Sequence, residues 1–107
     1  MRALDRKTFR IGSRQIDVVV ASITQLGEPV DAIVSSDDNR LSHGGGVSEA
    51  IWKVAGPELT RFVARAQPPL RLGQVFVSPA GNVAARAILH AVTIDLDENR
   101  VIGPASR

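Results

Sequence analysis

The chain has 107 residues, the size of one domain, and is 44% apolar, enough for one packed core and too apolar for a disordered chain. No apolar run approaches the roughly 18 residues of a membrane span, the charged start MRALDRKTFR does not read as a signal peptide, and the lack of cysteine excludes disulfides and thiolate metal sites. A formal charge of +2, no tyrosine and few other aromatic residues make nucleic acid a poor candidate partner, so the expectation is a soluble, cytoplasmic protein.

In chain order, residues 9–11 and 15–21 read as two strands around the turn Gly12-Ser13-Arg14. The second carries alternating Ile16, Val18 and Val20, but Val19 is apolar too, which predicts an interior strand. After the break Gly27-Glu28-Pro29, Ala32-Ile33-Val34 reads as a third buried strand ending at Ser35. Val47, Ala50, Ile51 and Val54 then fall on one face of a helix over residues 47–55. Gly56-Pro57 ends it and starts a second helix, with apolar Leu59, Phe62, Val63 and Ala66, which Gln67-Pro68-Pro69 stops. Strands resume at residues 74–78 and 87–94, and residues 95–107 are a mostly polar tail. The pattern is α/β, yet five strands are set against only two helices, fewer than a sheet covered on both faces needs.

The junction between third strand and first helix raises the functional question. In SSDDNRLSHGGGVSEAIWKVAGPEL, residues 35–59, three glycines follow an acidic polar stretch and immediately precede an amphipathic helix. The first turn of a helix has backbone amides without intrahelical acceptors, and its dipole favours an anion. Glycine lets a ligand approach that backbone. A phosphate cradle and a turn that needs glycine only for its shape are both compatible with this pattern. Neither GxxxxGK[ST] nor GxGxxG occurs, which argues against an ordinary nucleotide triphosphatase or dinucleotide dehydrogenase.

Three ordered blocks resemble the macrodomain family. VDAIVSSDDNRLSHGGGVSEAIWKVAGPEL is similar to the family's VDAIVNAAN, spacer, GGGGV-D-x-AI, AAGPEL signature; VVVASITQL resembles the strand that usually ends in GDIT; GQVFVSPAGNVAARAILHAV resembles the later stretch ending in IHAV. The resemblance covers roughly residues 15–92. It implies a three-layer α/β/α domain with a mixed sheet, here one domain over residues 1–107 that is incomplete at the C-terminus, because the family's second glycine-rich phosphate loop has no counterpart. It also implies binding of ADP-ribose, free or attached to a macromolecule, and in some members its hydrolytic removal.

By this resemblance Gly44, Gly45, Gly46 and Val47 form the phosphate loop, with His43 in place of a further glycine at its edge. Ser22 stands where an aspartate usually binds the adenine amino group, beside Ile23, or else caps the turn that follows. Asp38 stands where an asparagine contacts the distal ribose, and is the candidate catalytic residue; Asn39 substitutes for it if the loop shifts by one. Ser48 replaces the acidic residue that helps one hydrolase class. Three readings follow: an ADP-ribose-binding module, an ADP-ribosyl hydrolase, or a degenerate interaction domain that binds no nucleotide. The changes at Ser22, Asp38 and Ser48 favour binding, or its loss, over the usual hydrolysis.

The remaining conspicuous residues have plainer expectations. Trp52 packs against a neighbour, His90 is a core histidine with a hydrogen-bonded ring, and Asp37 with Asp38 are solvated loop carboxylates rather than an acid/base pair. The histidines and acids lack zinc spacing, and no cofactor is implied. Uncovered apolar sheet predicts self-association, exchange of elements with a second copy, or a place in a larger protein.

Overall fold

The computed structural model describes residues 5–102. Strands β1 (Asp5–Ile11) and β2 (Arg14–Val20) form an antiparallel hairpin that is a two-stranded sheet of its own. Gly12, at φ +61°, takes the left-handed backbone that its tight turn requires. Strand β3 (Val30–Asp38) pairs in parallel with β5 (Ala85–Asp95), which pairs antiparallel with β4 (Val75–Ser78) and with the short β6 (Arg100–Val101). Between β3 and β4 lie helices α1 (Gly46–Ala55) and α2 (Pro57–Val63), the latter running on into one 3-10 turn, Ala64–Ala66.

The core forms where one face of the mixed sheet meets the helices. Ile33 of β3 with Ile88 and Val92 of β5 pack against Ile51 and Ala55 of α1 and Leu59 and Val63 of α2. Period-two alternation puts these strand residues on the same side as Ser35, Asp37 and His90, all buried. On the opposite side Val34, Val75 and Val77 are more than half exposed. The α/β class and the mixed sheet match expectation, and the described helices cover one face of that sheet.

Four local expectations change. First, β2 is not interior: Ile16, Val18 and Val20 are 48%, 57% and 56% exposed. An apolar pattern records the capacity to be buried, and only the packing supplies a cover. Second, β3 does not end at Ser35. Ser36, Asp37 and Asp38 stay extended because they continue the parallel ladder onto Ala91, Val92 and Ile94, with one irregularity between the two aspartates. Third, the buried face of α1 is Ser48, Ile51 and Ala55, whereas Val47 and Val54 remain exposed. The helix offers two overlapping apolar stripes, and the one chosen also carries Ser48 to the acidic end of β3. Fourth, the polar tail contributes β6, which Asn99, at φ +54°, folds back onto β5.

The helix C-terminus is fixed by a close approach. Asn82 donates its backbone N–H to the carbonyl of Ala55 at 3.0 Å, and a Cβ on Gly81 would lie 2.2 Å from that same oxygen. Gly81, at φ +57°, is therefore required twice, for its backbone angle and for the space. This contact ties the turn before β5 to the end of α1, and so fixes the direction in which α1 points its N-terminus.

Candidate functional site

A cleft of about 350 Å³ opens between the acidic end of β3 and the start of α1, lined by Ser36, Asp37, Asp38, Ser42, Gly44, Gly45 and Ser48, with Ile94 and Leu96 from the β5 end. Its volume lies at the lower end of the range that holds small-molecule ligands. Gly45 is the N-cap of α1, in extended backbone, and Gly46 begins the helix at φ +60°. The first-turn amides and the positive end of the helix dipole are thus at the side of the cleft where Gly44 and Gly45 sit. No side chain on Gly45 obstructs that approach, and a Cβ built there meets nothing within 4 Å.

The other side of the cleft is acidic, and the two neighbouring aspartates differ completely. Asp38 is consumed by its own loop. It accepts from the backbone N–H of Arg40 at 2.8 Å, from that of Ser42 at 3.1 Å, and from the Ser42 hydroxyl. Asp37 points from the same strand into the core and is 2% exposed. It accepts from the Ser48 hydroxyl through Oδ1 and meets His90 Nδ1 at 2.8 Å through Oδ2. The far ring nitrogen of His90 lies 2.7 Å from Ser78 Oγ. Burial pushes the Asp37 carboxyl up, but hydrogen bonds from His90 and Ser48 and attraction to the ring outweigh it and hold the group below the ordinary 3.8.

Ser78, His90 and Asp37 stand in the order of a serine hydrolase relay. The geometry does not make Ser78 a nucleophile, because it is 2% exposed, its hydroxyl lies 3.1 Å from the Pro79 carbonyl, and it does not line the cleft. The end of the relay that reaches the cleft is Asp37 with Ser48.

Of the residues proposed from the sequence, Gly44, Gly45 and Asp38 are brought together in this cleft. Gly46 and Val47 form the first residues of α1, with the Val47 side chain 46% exposed. Asn39 faces away. Its amide is buried, donates to Asp95 at 3.2 Å and Asp97 at 3.0 Å, and accepts from the N–H of Leu96 at 2.8 Å, so it clamps the turn after β5 with both of its donors taken. The reason is the strand parity: with Asp37 inward and a shift in register after it, Asn39 turns beneath the β5 end. Ser22 and Ile23 are also outside the cleft. Ser22 shares a hydrogen bond with Thr24 at 3.3 Å and accepts at its carbonyl from the N–H of Gln25, while Ile23 packs on the core.

His43 stacks on Trp52 with ring centroids 4.2 Å apart, beside a second groove that also includes Glu49, Lys53 and Thr60. Sequence reasoning missed the pairing of Asp37 with Ser48 and His90 because it read Asp37 as a loop residue. The available signal was parity: Asp37 lies two steps of two from Ile33, and His90 lies between Ile88 and Val92, so each is a polar group on a buried face and needs a partner.

Comparison with known proteins agrees with this architecture. The family model described as Macro domain matches residues 34–102. An uncharacterized protein of Mycobacterium tuberculosis is 38% identical over 82 residues, which are 77% of this chain and 22% of that protein. The O-acetyl-ADP-ribose deacetylase of Salmonella typhimurium is 37% identical over 81 residues, covering 73% of this chain and 44% of that enzyme. The solved Oceanobacillus iheyensis macrodomain with ADP superposes with a TM-score of 0.75 at 28% identity, over 84% of this chain and 50% of the other. The chain thus spans half or less of the length of these proteins. A family match over residues 34–102, joined to a superposition that covers 84% of this chain, places it in the macrodomain family.

Proposed function

We propose that the cleft binds ADP-ribose or a related nucleoside diphosphate, with the diphosphate against Gly44, Gly45 and the first turn of α1 as the phosphate loop, Gly46 and Val47 supplying backbone amides. The observation that carries this reading is the open N-terminus of a ten-residue helix, faced by two glycines, at the wall of a cleft. A related macrodomain was solved with ADP, which fits the same chemistry. Asp38, which aligns with the family's ribose-contacting asparagine, lines the cleft, as does Ser48, which replaces the family's acid. Adenine recognition through Ser22 and Ile23 would need these residues to be reached from outside this cleft.

Binding is favoured over hydrolysis by the state of Asp38. A general base needs a lone pair directed at the proton it removes, and three of the roughly four acceptor sites of the Asp38 carboxylate are already occupied by its own loop, which fixes its orientation. The resemblance to deacetylases keeps hydrolysis of an ADP-ribose ester as the second reading. Isothermal titration with ADP-ribose, ADP and AMP tests the first reading, and release of acetate from O-acetyl-ADP-ribose tests the second. Saturable binding that requires the diphosphate is the expected result. Equal weak binding of AMP and ADP-ribose overturns the diphosphate assignment.

A further inference from the structure

The Ser48–Asp37–His90–Ser78 chain joins α1, β3, β5 and β4 through side chains that are all buried, and the proposed binding function leaves it unused. A chain of four buried polar groups costs desolvation, and an apolar core would hold the sheet without it. Two of its members, Asp37 and Ser48, nevertheless line the cleft.

The proton inventory decides what the chain presents there. A carboxylate only accepts, so the bond at Asp37 Oδ2 takes its proton from His90 Nδ1, and the bond at Oδ1 takes the single hydroxyl proton of Ser48. At the far side of the ring, Ser78 Oγ lies 2.7 Å from Nε2 and 3.1 Å from the Pro79 carbonyl, and its one proton serves only one of them; the assignment at Asp37 is the same in either case. With its proton committed to Asp37, the Ser48 oxygen has only lone pairs left for anything in the cleft. We propose that Asp37 is a positioning residue that makes Ser48 an obligate hydrogen-bond acceptor, so that this point of the cleft selects a ligand hydroxyl and disfavours a phosphate oxygen. The inference rests on the ligand reading above. It divides the cleft into an anion end at Gly44 and Gly45 and a hydroxyl end at Ser48, the arrangement that suits a sugar joined to a diphosphate.

It also reassigns the carboxylate of the site. The family's acid after GGGV is replaced by Ser48, and the structure brings a different carboxylate, Asp37, into contact with that serine from the neighbouring strand. Asp37 acts through Ser48, so it is not a catalytic residue; His90 and Ser78 hold it in the orientation that reaches Ser48.

The test is a double-mutant cycle on the full chain, titrated with ADP-ribose and with ADP. Ser48→Ala and Asp37→Ala should each weaken ADP-ribose about fivefold to tenfold, the size of one hydrogen bond, and leave ADP within about twofold. The double variant should lose no more than Ser48→Ala alone, because Asp37 works only through that hydroxyl. Additive losses, or equal loss of both ligands, would overturn the proposal and leave Asp37 a purely structural residue. Long-range proton–nitrogen NMR on the unaltered chain supplies a readout of the ring proton that needs no ligand. It should show His90 protonated at Nδ1 and a slowly exchanging Ser48 hydroxyl proton, which Ser48→Ala removes. A ring protonated only at Nε2, or no such hydroxyl signal, would overturn the proton assignment. If the spectra agree and the unaltered chain binds neither ligand, the ADP-ribose reading fails while the Asp37–Ser48 positioning stands.

Discussion

The hairpin and the four-stranded sheet are built from similar residues and have opposite fates. Ile16, Val18 and Val20 of β2 alternate as regularly as Ile88, His90 and Val92 of β5. The first three are about half exposed, and the second three are at most 1% exposed. β5 has a partner on each edge and two helices over its inner face, whereas among the described residues β2 pairs only with β1. Side-chain pattern therefore prepares a face for burial, but the energetic value of that face is realised only where a second layer removes it from water. The same contrast recurs at the scale of two adjacent residues, where Asp37 is drawn into the core by the β5 ladder and Asp38 is held in its own loop.

The sharpest way to test that comparison is to truncate one apolar residue in each region. Ile51→Ala, at a fully buried position, should cost about 2–5 kcal/mol through lost transfer energy and a cavity. Val18→Ala should stay within about 0.5 kcal/mol, because the side chain is already largely in water. Urea unfolding of the two variants measures both, and equal losses would show that the hairpin face is covered in solution.

A glycine pair sharpens the same point through the backbone. Gly81→Ala forces a methyl group into the carbonyl of Ala55 as well as straining a left-handed angle, and should cost about 1–3 kcal/mol or more. Gly12→Ala shares the left-handed angle but meets open space, so only the strain of about 1–2 kcal/mol remains. Thermal melts should rank Gly81→Ala below Gly12→Ala.

Acid should break the sheet side first. The Asp37 carboxyl is lowered on folding, so its contribution is fully present above the ordinary 3.8 and is lost as pH falls below that through the folded value. Denaturant midpoints followed from neutral pH to below 3.8 should drop in the native chain and drop less in Asp37→Asn, which cannot titrate there. A slope unchanged by that substitution would mean that other carboxyls carry the acid response.

The smallest stability effect, with the most specific consequence, is expected at the glycine loop. Gly45→Ala introduces a methyl group into open space at an extended position, so the fold should change by no more than about 0.5 kcal/mol. The same methyl group stands where a diphosphate would approach the helix N-terminus, so affinity for ADP-ribose should fall about tenfold or more. Unchanged affinity measured by titration would move the phosphate away from this loop.

What the sequence determined by itself was local and periodic. Helical spacing at Leu59 and Val63, the glycines before α1, the Gly56-Pro57 boundary and the apolar strand Ala32-Ile33-Val34 all follow from backbone preference and side-chain period, which neighbouring residues suffice to set. The glycine loop was legible as a candidate anion site for the same reason. Tertiary structure decided which of two stripes α1 buries, whether β2 finds a cover, and how far β3 extends. It also decided that Asn39 clamps the β5 turn and that Asp37, Ser48, His90 and Ser78 meet. Those outcomes depend on strand pairing between segments more than fifty residues apart, such as Asp37 with Val92, and no short window of sequence contains that register.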